Sequence, residues 1–390
     1  MVETTGAVRE RPPRYALLDY LRLVAALMVV GLHWLVNGIE NGKVTSIGPN
    51  DWADPWASYG YLGVSLFFLI SGFVISNSAR GKTARQFAVG RFVRLYPAFW
   101  IALSITTVVI VVAGGDTFTV TVPEFLANLT MAPTYFGQGF VDGAYWTLVY
   151  ELRFYALVGI LLFFGLGRRL DVFFPLWGVV MVLCQLLAPE ATADLPFTGG
   201  FYLLFAAGAL IAIVRDRGPA WWSVLPLLGV WAMSVRFAID KAIVLDERRP
   251  IELNPVVAGG LVTLFYLAVL SMCIPRVAHL RLPLSQPLGA LTYPVYLLHA
   301  HVGYILLDHL ATDATKWLVY PLLLAALIAV AWCLHWLVDL DPRRARIQRV
   351  VDRTLGALVD RVQPARFRRD PLRPTPATTP RQRWLRSDTK

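Results

Sequence analysis

Two side chains capable of acid–base chemistry stand inside otherwise apolar stretches of the sequence. His33 lies near the end of the stretch 17–36, and Glu151 lies near the start of the stretch 146–166. If these stretches cross a membrane in opposite directions, a helical rise of about 1.5 Å per residue puts both side chains at a similar depth. A carboxylate fixes the tautomer of an adjacent imidazole and stabilises the imidazolium. We therefore predict that His33 is a general base held by Glu151. The alternative is a structural hydrogen bond between two helices.

A second group of charged side chains lies at the start of the stretch 17–36 and just before another apolar stretch, 97–113. Arg22 follows Asp19 by three residues, so the two share one face of a helix and can pair. Arg91 and Arg94 have the same spacing in the segment RFVRLYP, and two guanidinium groups on one face suit phosphate oxygens. The alternatives are a helix-end ion pair for Asp19 and Arg22, and for Arg91 and Arg94 the ordinary enrichment of arginine in cytoplasmic loops.

A pair of histidines in the segment YPVYLLHAHV has the wrong spacing for a shared metal ion. His299 and His301 are two residues apart and therefore point to different faces of a helix, whereas metal-binding pairs on a helix prefer a spacing of four. For these histidines we expect a core hydrogen bond to Tyr293 or Tyr296. The sequence contains no HExxH, paired CxxC, Walker or GxSxG motif, so we predict no metal site.

The surrounding composition identifies the solvent of these residues as a bilayer. Of 390 residues 56% are hydrophobic and 16% charged, against about 25% charged in soluble domains. This excludes a soluble globule and a disordered chain, and three cysteines are too few for a disulfide scaffold. A membrane-spanning helix needs about 20 apolar residues. Stretches of about that length predict an all-α, polytopic membrane protein with about ten transmembrane helices, at 17–36, 61–78, 97–113, 146–166, 172–188, 199–214, 221–238, 256–274, 288–307 and 317–338.

The distribution of basic residues predicts the orientation, because cytoplasmic loops collect Lys and Arg. With ten spans and a cytoplasmic N-terminus, 28 of the 36 basic residues lie inside and five lie outside. The outer loops would hold Lys43, Lys241, Arg248, Arg249 and Lys316, together with 14 of the 26 acids. We therefore predict cytoplasmic N- and C-termini. The shorter apolar segment 123–135 is predicted to be interfacial or re-entrant.

The chain divides into three predicted parts. Residues 1–16 form a cytoplasmic N-terminal segment, residues 17–338 the ten-helix transmembrane domain, and residues 339–390 a basic cytoplasmic tail. Apolar residues at helical spacing predict an amphipathic helix at about 343–362 on the inner leaflet, followed by a proline-rich disordered end. The tail suits anionic lipid headgroups, and we expect no nucleic-acid partner because no recognition fold accompanies the arginines.

Five segments of the sequence together resemble a known family. DYLRLVAALMVVGLH, GVSLFFLISGFVIS, RFVRLYP, YWTLVYELRFY and YPVYLLHAHV are similar, in that order, to motifs of the acyltransferase-3 family of integral membrane O-acyltransferases. The resemblance extends from Arg14 to Val338. It implies transfer of an acyl group, usually acetyl, from cytoplasmic acyl-CoA to a hydroxyl of a glycan, glycolipid, cell-envelope polysaccharide or macrolide. It also implies a multi-pass protein of the bacterial inner (plasma) membrane that works with envelope biosynthesis proteins.

The resemblance also assigns roles to particular residues. The family's essential histidine falls on His33, its glutamate on Glu151, and its cofactor-binding arginines on Arg22, Arg91 and Arg94. We expect the acyl-CoA arm to pass outward along a passage bordered by Asp19, Ser71, Trp146, Tyr155, Tyr293 and His299. On physical grounds alone, a transporter or flippase of an acylated or anionic glycolipid fits the intramembrane charges nearly as well.

Overall fold

The structure is a computed structural model, and it describes residues 15–192, 195–248 and 253–368. Within these ranges it consists of helices and connecting loops without a β-strand, which confirms the all-α polytopic fold. The principal helices are α1 (Ala16–Glu40), α2 (Asp54–Ala79), α3 (Ala84–Ala113), α4 (Val122–Asn128), α5 (Trp146–Phe163), α6 (Leu166–Leu187), α7 (Phe201–Arg217), α8 (Trp221–Arg248), α9 (Pro255–Cys273), α10 (Ser285–Leu298), α11 (His301–Leu310), α12 (Lys316–Val338) and α13 (341–362).

Each of the ten predicted stretches coincides with helix, but not all of them form long straight spans. Among the described residues, eight helices have the length and hydropathy to cross a membrane. The predicted ninth span, 288–307, is divided between α10 and α11, two helices bent by 72°. The predicted sixth span is α7, whose 17 residues are at the short end of the spanning range and are mostly buried within the protein.

Helix α3 begins much earlier than the apolar stretch 97–113 suggested. The side chain of Thr83 accepts a hydrogen bond from the backbone N–H of Gln86, and the side-chain oxygen of Gln86 accepts one from the backbone N–H of Thr83. This capping box satisfies N–H groups at the start of the helix and fixes its beginning at Ala84. The segment RFVRLYP therefore lies inside one 30-residue helix, with Pro97 in its interior.

Helix α2 lies at the centre of the bundle, and glycines allow other helices to approach it closely. A Cβ atom on Gly72 would come within 2.1 Å of the carbonyl oxygen of Phe205, and one on Gly208 within 2.0 Å of the carbonyl oxygen of Leu69. On the α1 side, a Cβ on Gly63 would lie 2.5 Å from the carbonyl oxygen of Ala25. Small residues of this kind let helix backbones touch where lipid supplies no hydrophobic drive.

The segment 123–135 forms a short helix followed by a turn. Helix α4 is capped by Thr121, and a 3₁₀ turn follows at Pro133–Phe136. The Asn128 side chain donates to the carbonyl oxygens of Glu124 and Gly139, both at 2.8 Å, which fastens the following loop to the helix. Its predicted interfacial or re-entrant placement stays a prediction, because no membrane boundary is part of the structure.

Helix α13 packs across the beginning of α3. Val351 is buried against Val89 and Val93, and Ile347 and Leu355 pack on the same cluster. One apolar row of the helix therefore faces protein, and the placement of the helix on the inner leaflet stays a prediction. A second row remains exposed, consisting of Val350, Leu358 and Val362.

Ion pairs and the residues that follow also hold α13 in place. Arg85 donates to Asp352 at 2.7 Å and to Asp360 at 2.5 Å, and the bond from Arg85 lowers the pKa of Asp352. Gln363 donates to the carbonyl oxygen of Phe163 at 2.8 Å, so the chain is folded as far as 368, where disorder was expected. Residues 1–14 and 369–390, to which the remaining terminal predictions refer, lie outside the described residues.

Replacing Gly208 by Val tests the close approach of α7 to α2. The new side chain collides with backbone, which cannot move aside as a flexible side chain can, so we expect a large loss of folded protein. The measurement is the thermal unfolding midpoint in detergent together with the monodisperse fraction on size exclusion. Gly90→Ala is the matched control, because nothing lies within 4 Å of its added Cβ and alanine favours helix by about 0.5–1 kcal/mol. Equal midpoints for the two variants would contradict the packing.

Candidate active site

His33 is placed by an irregularity in α1 and contacts another histidine. It lies in a π-helical turn, Leu32–Asn37, a feature frequent at functional sites because it shifts side chains out of the regular helical register. Its Nδ1 atom lies 2.8 Å from the carbonyl oxygen of Val29 and 3.3 Å from Nε2 of His299. The predicted hydrogen-bond partnership of His33 with Glu151 is therefore wrong, since His299 occupies that position.

The hydrogen-bond network assigns a tautomer to each neutral ring. His299 Nδ1 lies 2.7 Å from the carbonyl oxygen of Tyr296, which can only accept, so the proton is on Nδ1 and the lone pair on Nε2. His33 Nδ1 faces this lone pair and the Val29 carbonyl oxygen, so it too carries its proton. The Nε2 atom of His33 is then the unprotonated nitrogen, and it has the lone pair that a general base needs.

The bend between α10 and α11 brings His299 to this position. Trp34 donates its indole N–H to the carbonyl oxygen of His299 at 2.7 Å, and the Asp142 carboxylate accepts the backbone N–H of His301 at 2.9 Å. The other Asp142 oxygen accepts the N–H of Ala144 at 2.8 Å, and the side chain is fully buried. These contacts satisfy backbone groups that the break leaves without helical partners.

Asp142 and Trp34 were missed by the sequence analysis. Asp142 counted only as one of many acids in an outer loop, and no local pattern marks a loop carboxylate that will be buried. The adjacent Gly143 is the nearest signal, since a Cβ there would approach His301 Nε2 to 3.3 Å. Trp34 reads as an ordinary apolar residue next to His33, and only its indole partner distinguishes it.

His301 closes the loop over the bend and does not face His33. Its Nδ1 donates to the carbonyl oxygen of Val141 at 2.9 Å, and its Nε2 accepts the N–H of Gly143 at 3.2 Å. His299 uses the backbone of Tyr296, in partial agreement with the expected tyrosine contact, while the Tyr293 hydroxyl bonds the carbonyl oxygen of Leu95 at 3.2 Å. The described residues contain no group of three or more His, Cys, Asp or Glu side chains placed to hold a metal ion.

Glu151 belongs to a second polar cluster, formed with Arg22, Arg91 and Arg94 and called the arginine group here. It accepts hydrogen bonds from the Ser71 hydroxyl at 3.1 Å and from the Tyr155 hydroxyl. Glu151 attracts Arg22, and Arg94 is close enough to Arg22 to repel it. The carboxylate therefore balances positive charge in this group, and its neighbours Ser71 and Tyr155 are those that the predicted passage contained.

The three predicted cofactor-binding arginines lie close to one another. Arg22 contacts the buried carboxylate of Asp19 at 3.2 Å, and Arg94 lies at 4.0 Å from Asp339. Arg91 donates to Ser78 at 2.8 Å, and its guanidinium carbon lies 5.5 Å from the centre of the Tyr155 ring. The Arg22 and Arg94 side chains keep 25% and 34% of their surface exposed.

One face of α2 runs from the arginine group toward the histidine pair, which consists of His33 and His299. Ser78, which holds Arg91, and Ser71, which contacts Glu151, share this face with Phe67, and all three side chains are half-buried. The ring of Phe67 lies 5.7 Å from that of Tyr296, which lies 5.4 Å from that of His299. Eleven residues of helix separate Phe67 from Ser78, about 16 Å along the axis.

Of two further residues that the sequence suggested for the passage, Trp146 lies elsewhere, whereas Tyr293 lies near Glu151 and Arg94. Trp146 packs in an aromatic cluster with Tyr150 and Phe201, at ring-centre distances of 5.7 and 5.3 Å. It points to the α7 side of α5, whereas Glu151 points toward α2. Tyr293 does lie in electrostatic range of Glu151 and Arg94, but its hydroxyl is already bonded to the backbone of α3.

Fold and site together define a polytopic membrane protein with a histidine pair inside the bundle and an arginine group on the same helix face. The chain belongs to the acyltransferase-3 family, since the family profile described as an acyltransferase domain matches residues 15–336. It is therefore a membrane acyltransferase, and the family resemblance seen in its motifs is confirmed.

Similar curated proteins come from bacteria. The chain is 27% identical over 253 residues to "Exopolysaccharide production protein ExoZ" of Rhizobium meliloti, covering 62% of this chain and 75% of the relative. It is 26% identical over 359 residues to "Nodulation protein 10" of Rhizobium leguminosarum bv. viciae, covering 81% and 90%. No solved structure shows a significant match to the chain.

A His299→Ala variant is expected to lower acyl transfer about 10- to 100-fold while the protein remains folded. The loss follows from the predicted role of His33 as general base: its ring remains but loses a neighbour that fixes its orientation, and positioned general bases contribute about 10²–10⁴-fold. His299→Gln restores an acceptor oxygen near the Nε2 position and should recover part of the rate. His309→Ala, on an exposed histidine of α11, is the control. The turnover rate in detergent checks this, and full activity of His299→Ala would exclude the orienting role.

Proposed function

We propose that this protein is an O-acyltransferase that moves an acyl group, typically acetyl, from cytoplasmic acyl-CoA to a hydroxyl of a glycan, glycolipid or envelope polysaccharide. The observation that carries the proposal is the α2 face that joins an arginine group to an imidazole with a free lone pair. An acyl-CoA has a highly charged nucleotide end and a reactive thioester end. The two polar groups match these two ends.

In this proposal the arginine group binds the phosphates of acyl-CoA. Arg22, Arg91 and Arg94 supply planar, permanently charged donors, and arginine is well suited to bidentate phosphate contacts. Glu151 and Asp19 hold the group in place and limit its repulsion, while Ser71 and Ser78 line the α2 face that the pantetheine arm would follow. The arm must then cover about 16 Å, the axial distance from Ser78 to Phe67.

At the other end, His33 would act as the general base. Its Nε2 atom takes the proton of the acceptor hydroxyl as the oxygen attacks the thioester carbonyl carbon. His299, through Nε2, keeps the His33 Nδ1 proton in place, so that the free lone pair stays on the atom that faces the acceptor. The proton is then returned to the departing CoA sulfur.

The acceptor class is supported by the relatives. One of them is named for exopolysaccharide production, and a sugar hydroxyl is a chemically suitable nucleophile for this base. The predicted orientation puts His33 in the outer half of the membrane, where lipid-linked or exported glycans are accessible. A bacterial inner-membrane location and envelope biosynthesis proteins as partners follow from the same proposal.

Removing the imidazole tests the proposed base. His33→Ala should lower acyl transfer by at least 100-fold, because the contribution of a general base is lost, while acyl-CoA affinity stays within about twofold. Transfer is followed as release of free CoA thiol with an added glycan acceptor, and affinity by isothermal titration of the purified protein. An active His33→Ala variant would refute the assignment. Loss of the folded, monodisperse protein would instead show a structural role.

The phosphate-binding role is tested by removing two arginines together. Arg91→Ala with Arg94→Ala should weaken acyl-CoA binding about tenfold or more, and the remaining affinity should depend less on ionic strength, since fewer charge pairs are screened. Arg276→Ala with Arg281→Ala removes the same charge from exposed positions and is the control. Binding measured at low and high salt decides the matter. An unchanged affinity or an unchanged salt dependence would reject the role.

A further inference from the structure

A lysine in the loop after α1 contacts His301, and among the described residues it has no carboxylate partner. Lys43 is half-buried, and its ammonium nitrogen lies 3.5 Å from His301 Nε2, which is its one hydrogen-bond contact. The same nitrogen lies 5.4 Å from the ring centre of Tyr304 and 5.9 Å from that of Phe118. In the described parts of the chain, no Asp or Glu oxygen lies within 4.0 Å of it. At least two of its N–H groups are therefore available.

The ammonium group and His33 approach the same aromatic ring. The ring centres of His33 and Tyr304 are 6.0 Å apart, and Lys43 interacts electrostatically with His33. The loop geometry is tightly defined, because the Lys43 backbone N–H donates to the carbonyl oxygen of Gly38 at 2.9 Å. A Cβ on Gly38 would lie 2.8 Å from the Tyr304 ring, so the end of α1 that holds this loop is in direct contact with α11.

The proposed reaction requires a group of this kind. When a hydroxyl oxygen attacks a thioester, the carbonyl oxygen becomes an oxyanion, and a preorganised donor beside it stabilises the transition state. His33 accepts a proton and cannot supply that donor. His301 cannot supply it through Nε2 either, because that atom already accepts the N–H of Gly143. Asp142 is negative and fully buried, with both oxygens engaged by backbone.

We propose that Lys43 is a further catalytic residue, whose ammonium group binds the oxyanion formed on the thioester carbonyl. This inference rests on the proposed function. The acceptor oxygen forms a bond to the carbonyl carbon as His33 Nε2 takes the hydroxyl proton, and the carbonyl π electrons move onto oxygen beside Lys43. Collapse re-forms the carbonyl, breaks the carbon–sulfur bond and transfers the proton from His33 to the CoA sulfur. The products are the ester and free CoA, and Lys43 keeps its charge throughout.

The positions of Lys43 and His33 explain how one site stabilises both charges that develop. The imidazole becomes positive as the carbonyl oxygen becomes negative, so the base and the ammonium group must lie on different sides of the reacting carbonyl carbon. Lys43 is attached to the loop after α1 and approaches from the Tyr304 and Phe118 side, whereas His33 lies within α1 against His299. Because no carboxylate lies within 4.0 Å of the ammonium group among the described residues, no ion pair has to break before an anion binds to it.

The test measures acyl transfer by purified Lys43→Ala with acetyl-CoA and a glycan acceptor. Loss of a single oxyanion donor lowers kcat by about 10²–10³-fold, so we expect that decrease with KM for acetyl-CoA within about twofold. Lys43→Arg should retain more activity than Lys43→Ala because the positive donor remains. Added n-propylammonium should partly restore Lys43→Ala, whereas n-propanol, of similar size and without charge, should not.

The outcomes separate this inference from the proposed function. A parent protein that transfers no acyl group overturns the proposed function and this inference with it. An active parent with a Lys43→Ala variant within threefold of its kcat overturns the role of Lys43 alone. A large loss that neither arginine nor propylammonium reverses, accompanied by a lower unfolding midpoint, also overturns it, because Lys43 then merely holds the loop against α11.

Discussion

The interruption between α10 and α11 is the constraint on which the arrangement of the site depends. In a membrane-spanning segment, backbone N–H and C=O groups without partners are costly, so a break is tolerated where protein groups replace the missing helical bonds. Here Trp34 donates a hydrogen bond to the carbonyl oxygen of His299, and Asp142 accepts one from the N–H of His301. The side chain that repairs one end of the break comes from the residue following His33. The repair of the backbone and the placement of the imidazole pair are therefore one structural solution.

The second organising element is α2, which is nearly surrounded by protein. Glycines at its contacts with α1 and α7, among them Gly72, let the helix backbones approach more closely than larger side chains would allow. The face left partly open carries Phe67, Ser71 and Ser78. A rigid helix with one accessible face can hold two polar groups at a fixed separation, which a substrate with two distinct ends requires. Catalytic positioning depends on such rigidity, because small displacements cost large factors in rate.

Sequence reasoning was accurate where chemistry is local and inaccurate where the partner is distant along the chain. The spacing of Arg91 and Arg94 placed both on one helix face, and the structure brings Arg22 and Glu151 to the same group. The depth arithmetic paired His33 with Glu151, but depth alone leaves the rotation of each helix undefined. In the structure α5 turns Glu151 toward Ser71, and the bend after Leu298 supplies His299 instead.

The sequence by itself determined the solvent, the helical class and the rare residues that carry chemistry, because hydropathy and charge are properties of the residues and a bilayer penalises each buried charge. It also carried the motifs that identify an acyltransferase. Only the tertiary structure decided which of those residues meet. A break in a helix, a buried loop carboxylate and a lysine beside an aromatic ring all depend on contacts across more than a hundred residues, and no local pattern in the chain encodes such contacts.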